Sequence, residues 1–131
     1  MIVSRALARL GGIATRAELL RAGCWPESLT MSINYGKSRR VRPGWYASND
    51  TPAAVVRAVR VGGRLACLSA LAYHRGDEDP DVLHILVPRG ASGLRVRDEK
   101  VVVHWTRKPL DGTRHAVTEK FAEQQALACT R

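Results

Sequence analysis

Glycine and proline cut the start of this chain into short pieces. Gly11-Gly12, Gly23, Pro26, Gly36 and Pro43-Gly44 leave no uninterrupted segment longer than 10 residues before Trp45, which excludes any long helix there. The pieces themselves read as helices. From Ile2 to Leu10, the apolar Ile2, Val3, Ala6, Leu7 and Leu10 follow helical spacing while Ser4, Arg5 and Arg9 stay polar. Thr15-Arg16-Ala17-Glu18 is a Ser/Thr-x-x-Glu capping box that starts a second helix through Ala22, with Gly23 as its stop. Ala17, Leu19 and Leu20 are expected to pack on the first helix, and Trp25 to close that small core. A third helix is expected from Pro26 to Tyr35: proline suits a first helical position, Glu27 complements the amino-terminal dipole, and Gly36 provides the exit. Strict alternation of Ser28, Thr30, Ser32 and Asn34 with Leu29, Met31, Ile33 and Tyr35 also fits a strand. The proline and glycine at its ends decide for the helix.

Beyond Gly36 the period changes. Val41, Trp45 and Tyr46 flank the turn Arg42-Pro43-Gly44, as in a small hairpin with basic residues on its first arm. Three short helices followed by a basic hairpin make a winged helix-turn-helix. Asn49-Asp50-Thr51-Pro52 then reads as a turn and cap for the helix AAVVRAVRV, and Gly62-Gly63 marks a lobe boundary. Past it, Ser69 is expected to cap a short helix, LHILVP and VVVHW to pair in a small antiparallel sheet, and Thr118 to cap a last helix. The expected fold is therefore α+β: a winged helix-turn-helix over residues 1–61, and over 62–131 a small helix-and-antiparallel-sheet lobe that supports it or makes a second DNA contact.

Charge points to a partner. The chain carries 21 Lys+Arg against 12 Asp+Glu, a net +9, of which residues 1–60 supply +7 and residues 61–131 only +2. Lys37, Arg39, Arg40 and Arg42 fall within six positions. Such a cluster offers a phosphate backbone several charge-assisted contacts and releases counterions on binding, so double-stranded DNA is the first partner to expect. A membrane-surface helix would need a long apolar face opposite the basic one, and Pro43-Gly44 breaks this segment, so no membrane partner is expected. No apolar run approaches 18 residues and the arginine-interrupted N-terminus is no signal peptide, which leads to a cytoplasmic expectation. Cys24, Cys67 and Cys129 are odd in number, widely spaced and without a C-x-x-C, the pattern of buried thiols in a reducing compartment.

Little in the sequence promises catalysis. At 131 residues the chain excludes large multidomain enzymes. His74, His84, His104 and His115 are too far apart for a local metal motif; His84 and His104 fall on candidate neighbouring strands, which leaves a paired site open, with a satisfied strand histidine the favoured reading. Asp77, Glu78, Asp79 and Asp81 read as a solvated acidic turn, and no nucleophile elbow or Gly-rich phosphate loop occurs. No enzyme activity, metal or cofactor is expected.

In a helix-turn-helix the third helix lies in the DNA major groove. Here it would present Ser28, Thr30, Met31, Ser32, Asn34 and Tyr35. Asn34 could pair with an adenine edge, a Ser or Thr hydroxyl could meet a base or phosphate, and Met31 could meet a thymine methyl, as alternatives. Lys37, Arg39, Arg40 and Arg42 would supply phosphate contacts or enter a minor groove through the wing, while Thr15, Arg16 and Arg21 brace the backbone. Arg95 and Arg97 are the candidates for a second DNA contact. Ile33 and Trp45 are expected in the core.

The segments GGIATRAELLRAGC, SRRVRPGWYA, GGRLACLSALAYH, LHILVP and VVVHW together resemble the winged-helix antitoxin and transcriptional-regulator family called AbiEi-like, with its small relatives in actinobacteria and their phages. The resemblance spans roughly residues 8–108 and implies an amino-terminal domain that recognises operator repeats and represses its own operon. By the same resemblance Thr15, Arg16 and Arg21 fall on supporting helices, and Lys37, Arg39, Arg40 and Arg42 on the approach to the wing. Longer relatives carry a further antitoxin region or a nuclease-like domain; with the sequence ending at Arg131, no nuclease domain is expected. The leading expectation is a sequence-specific repressor acting by operator occupancy. The alternatives are an autoregulating antitoxin, whose partner would be a cognate toxin, and an accessory nucleic-acid-binding protein. With no coiled-coil signal, a monomer and a homodimer are equally compatible with the sequence.

Overall fold

The glycine breaks become helix ends of one kind. A computed structural model of the chain describes residues 2–88, 100–106 and 115–129 and divides into two units, Met1–Pro52 and Ala53–Arg131. The first contains α1 (Val3–Arg9), β1 (Ile13–Thr15), α2 (Arg16–Arg21), α3 (Pro26–Asn34), β2 (Ser38–Arg42) and β3 (Trp45–Ser48). Each of its three helices ends in a Schellman motif. Gly11, Gly23 and Gly36 take φ of 91°, 104° and 70°, and the following amides reach back to Leu7, Leu19 and Ser32 oxygens at 2.7, 3.1 and 2.8 Å. Left-handed backbone at these positions is cheap only for glycine. At the front of α2 the capping box is complete: the Glu18 amide donates to Thr15 Oγ1 (3.2 Å) and the Thr15 amide to Glu18 Oε1 (2.9 Å).

These helices surround a core of Val3, Ala6, Leu7, Ala14, Leu19, Cys24, Leu29 and Tyr46, with Leu10, Leu20 and Ile33 packed on it. Ala17 is exposed, and Trp25, expected to close this core, is 69% exposed. Trp25 precedes Pro26 and has extended backbone (φ −88°, ψ 148°), the conformation that a following proline imposes. Cys24 and Tyr46 are buried in its stead. The sheet order is β1-β3-β2, all antiparallel. Thr51, expected among the caps of the next helix, instead donates its hydroxyl to the Gly12 oxygen at 2.8 Å.

The second unit contains α4 (Ala53–Val61), β4 (Arg64–Leu65), α5 (Cys67–Arg75), β5 (Leu83–Pro88), β6 (Val101–Thr106) and α6 (Glu119–Cys129). Its boundary falls after Pro52, nine residues before the expected division at residue 61. The reason is burial. Ala54, Val55, Val56, Ala58, Val59 and Val61 of α4 are all buried, and the helix packs on β4 and β5.

Strand β5 is central in the order β4-β5-β6, and five of its six residues are buried. It pairs antiparallel with β4 but parallel with β6, which corrects the expected antiparallel sheet. Parallel neighbours need a crossover of about a dozen residues, and twelve residues lie between Pro88 and Val101. Ser69 also departs from its expected role: it lies inside α5, after Ala66 as N-cap, and its Oγ accepts from the His84 amide at 2.8 Å. Thr118 does cap α6, accepting from the Phe121 amide at 3.2 Å. Among the described residues no helix is long and apolar enough to cross a membrane.

Candidate nucleic-acid interface

The hairpin of β2 and β3 turns through Pro43-Gly44 alone, with Arg42 opposite Trp45. Proline fixes the first turn position and Gly44, at φ 80°, takes the left-handed second one. The Gly44 oxygen accepts from the Arg16 amide at 2.8 Å, tying the tip to the start of α2. Strand β2 is an edge, and the register slips between Arg40 and Arg42, a bulge that re-aims side chains. Val41 is consequently buried between exposed Arg40 and half-buried Arg42.

The basic cluster is exposed on this edge. Lys37, Arg39 and Arg40 are all exposed. Arg39 Nη2 donates to the Thr51 oxygen at 3.3 Å, and the Arg40 guanidinium stands 5.8 Å from the Tyr46 ring centroid, a cation–π contact that steadies it. Arg16 and Arg21 are exposed at the two ends of α2. Thr15 differs: its hydroxyl also donates to Glu18 Oε1 at 2.9 Å, so its side chain is committed to the cap.

On α3 the solvent-facing stripe is Glu27, Thr30, Met31 and Asn34, continued by Tyr35. Leu29 points the opposite way, into the core, and Ile33 is partly buried beside it. Ser28 and Ser32 are half-buried, and Ser32 shares a 2.8 Å hydrogen bond with the buried Ser38 of β2, fastening helix to edge strand. Thr30 Oγ1 donates weakly to the Pro26 oxygen at 3.4 Å and remains accessible. Met31 (54% exposed) and Tyr35 (71%) line an open groove of about 580 Å³ that Ile2, Ser4 and Lys37 also border. Trp45 is half-buried and Tyr46 buried.

Beside α3, Trp25 lies outside the core that the sequence suggests for it. It is exposed at the N-terminal end of α3, and the pre-proline position was the signal that could have shown it. Arg5 and Arg9 are further exposed cations on α1. The candidate second contact, Arg95 and Arg97, lies outside the described residues.

The boundary also revises the charge reading. Residues 1–52 hold 8 Lys+Arg and 3 Asp+Glu, a net +5, and residues 53–131 hold 13 and 9, a net +4. The split of +7 against +2 owed much to Arg57 and Arg60, which belong to α4. Clustering therefore distinguishes the first unit more than net charge does. In the second unit Asp77, Glu78, Asp79 and Asp81 are exposed, as an acidic turn should be. His84 and His104, in contrast, meet across β5 and β6 with Nδ1 and Nε2 3.2 Å apart. No protein-family model matches this chain, and no curated protein does.

Proposed function

We propose that residues 1–52 form a winged helix-turn-helix that binds double-stranded DNA, and that the chain is a repressor acting by operator occupancy. On this reading α3 is the recognition helix and β2-β3 the wing. The observation that carries the proposal is the pairing of an exposed polar stripe on α3 with an exposed basic edge on β2, joined by the Ser32–Ser38 hydrogen bond. The resemblance to AbiEi-like regulators belongs to the same proposal and rests on the segments that carry it.

A division of labour follows from chemistry. Asn34 has the amide geometry to pair with an adenine edge, and Met31 and Thr30 carry methyl groups suited to thymine. α3 contains no Lys or Arg, so bidentate guanine readout is not its main resource. Lys37, Arg39, Arg40 and Arg16 supply phosphate contacts that hold register without reading sequence. Arg42, at the wing tip, would meet a phosphate or enter a minor groove.

The test is binding of the full chain to duplexes recovered by genome-wide footprinting. Affinity should fall steeply with salt, by about 0.9 in log–log slope per neutralised phosphate. Arg39→Ala with Arg40→Ala should flatten that slope by about 2 and weaken all sequences alike, whereas Asn34→Ala should relax preference at one base position. A titration that stays flat between low and physiological salt would overturn the proposal.

A further inference from the structure

The second unit draws together three side chains that the sequence keeps 17 and 20 residues apart. Cys67 begins α5, His84 lies on β5 and His104 on β6, and one ligand atom from each falls within 4.8 Å of the others. The parallel register creates the pair: His84 stands opposite Val102 and Leu86 opposite His104, so the two histidines are diagonal neighbours on one sheet face. We infer that Cys67, His84 and His104 form a metal site for a thiophilic divalent ion of the zinc type, with the fourth position left to water or an added ligand.

The geometry suits that ion. Zinc–nitrogen bonds of about 2.0–2.1 Å in a tetrahedral arrangement place two nitrogens about 3.3 Å apart, and His84 Nδ1 and His104 Nε2 are 3.2 Å apart. Cys67 is held beside them. The Ala66 amide donates to the His84 oxygen (3.0 Å), the His84 amide to Ser69 Oγ (2.8 Å), and the Cys67 amide to Gln125 Oε1 (2.9 Å) from α6. These bonds fix where the ligand-bearing backbone lies, as the outer shell of a metal site does. Cys67 also adopts φ 50°, the one positive φ found at a non-glycine residue in the described chain. Such backbone is strained and persists where the surroundings demand it.

Burial lowers the His84 pKa, with the neighbouring His104 adding to the effect, and burial lowers that of His104. On binding, the Cys67 thiol releases its proton to solvent as the metal–sulfur bond forms, and a ring that carries its hydrogen on the ligating nitrogen shifts it to its other nitrogen. His104 is only half-buried and offers the ion its way in; Cys67 is fully buried behind it. The sequence set His84 and His104 on candidate neighbouring strands, but nothing in the spacing pointed to Cys67, which comes from a helix start.

The test is a cobalt titration of the tag-free chain, followed by zinc displacement. One equivalent should bind, with a thiolate-to-cobalt charge-transfer band and the visible bands of a four-coordinate ion, and zinc should raise the unfolding temperature. Cys67→Ser should abolish the charge-transfer band, and His104→Gln should weaken binding at least about tenfold; Cys24→Ser and His74→Gln should change neither. If Cys67→Ser fails to fold, His104→Gln on its half-buried strand still decides. Absence of saturable binding by the folded chain at micromolar zinc, or binding indifferent to His104→Gln, would overturn the site.

Discussion

Strands β2 and β5 show how differently the two units use their residues. Strand β2 is an edge that buries Ser38 and Val41 and exposes Arg39 and Arg40; β5 is central and buries Leu83 through Val87. An edge strand must discourage pairing with other chains, and its charged side chains do so. A central strand covered on both faces tolerates only what it can satisfy, so His84 sits there with its amide on Ser69 and its ring against His104. The units carry nearly equal net charge. What separates them is whether polar groups are displayed on a surface or enclosed.

That contrast can be broken most directly at Ile85, which is fully buried at the middle of β5. Ile85→Ala should cost about 2–5 kcal/mol, and the loss should be read as faster amide exchange across residues 53–88. Exchange in α1 to β3 should hold. Equal acceleration in both units would show that the division at Pro52 is not an energetic one.

A smaller effect is expected at Gly63, and it concerns space instead of apolar surface. A Cβ there would stand 2.9 Å from the Leu86 backbone oxygen and 3.1 Å from both Ile85 Cδ1 and Val87 Cγ2. Gly63 is not among the positive-φ glycines, so backbone freedom is not its reason for being glycine. Gly63→Ala should destabilise by about 1–3 kcal/mol, the range for overpacking, measured as a lower urea midpoint. An unchanged midpoint would mean that α4 and β5 shift apart easily, contrary to a tightly enclosed strand.

Much of the first unit was legible because its signals are local. The capping box at Thr15, the proline of α3 and the three glycine exits each act within five residues, and all stand where the sequence put them. The three-residue β1 is too short to show a period, and the hydrophobicity of Trp25 masks the constraint of the proline beside it. The second unit was less legible for the opposite reason. The parallel direction of β6, the packing of α4 and the meeting of Cys67 with two histidines depend on pairings between distant segments, and neither composition nor spacing records direction. Of the proposed interface, the basic run was visible in sequence, while the exposure of Lys37, Arg39 and Arg40 was read from the structure.

The mildest test falls on that local character. Thr15 Oγ1 accepts from the Glu18 amide at 3.2 Å and the Thr15 amide donates to Glu18 Oε1 at 2.9 Å, so two donors that the start of α2 leaves without helical partners are satisfied reciprocally. Thr15→Ala removes both bonds of the hydroxyl to Glu18 outright and loosens the one from the Thr15 amide, at a cost of about 0.5–2 kcal/mol. Thr15→Ser keeps the oxygen and should recover most of it. Because α2 starts with Arg16, a frayed start would loosen one phosphate contact of the proposed interface without removing a charge. DNA affinity should therefore fall modestly in Thr15→Ala with an unchanged salt slope, whereas loss of Arg39 and Arg40 flattens that slope. A flattened slope in Thr15→Ala would instead mean that the cap serves mainly to position a cation on phosphate, and that local order and surface charge in this unit are one device.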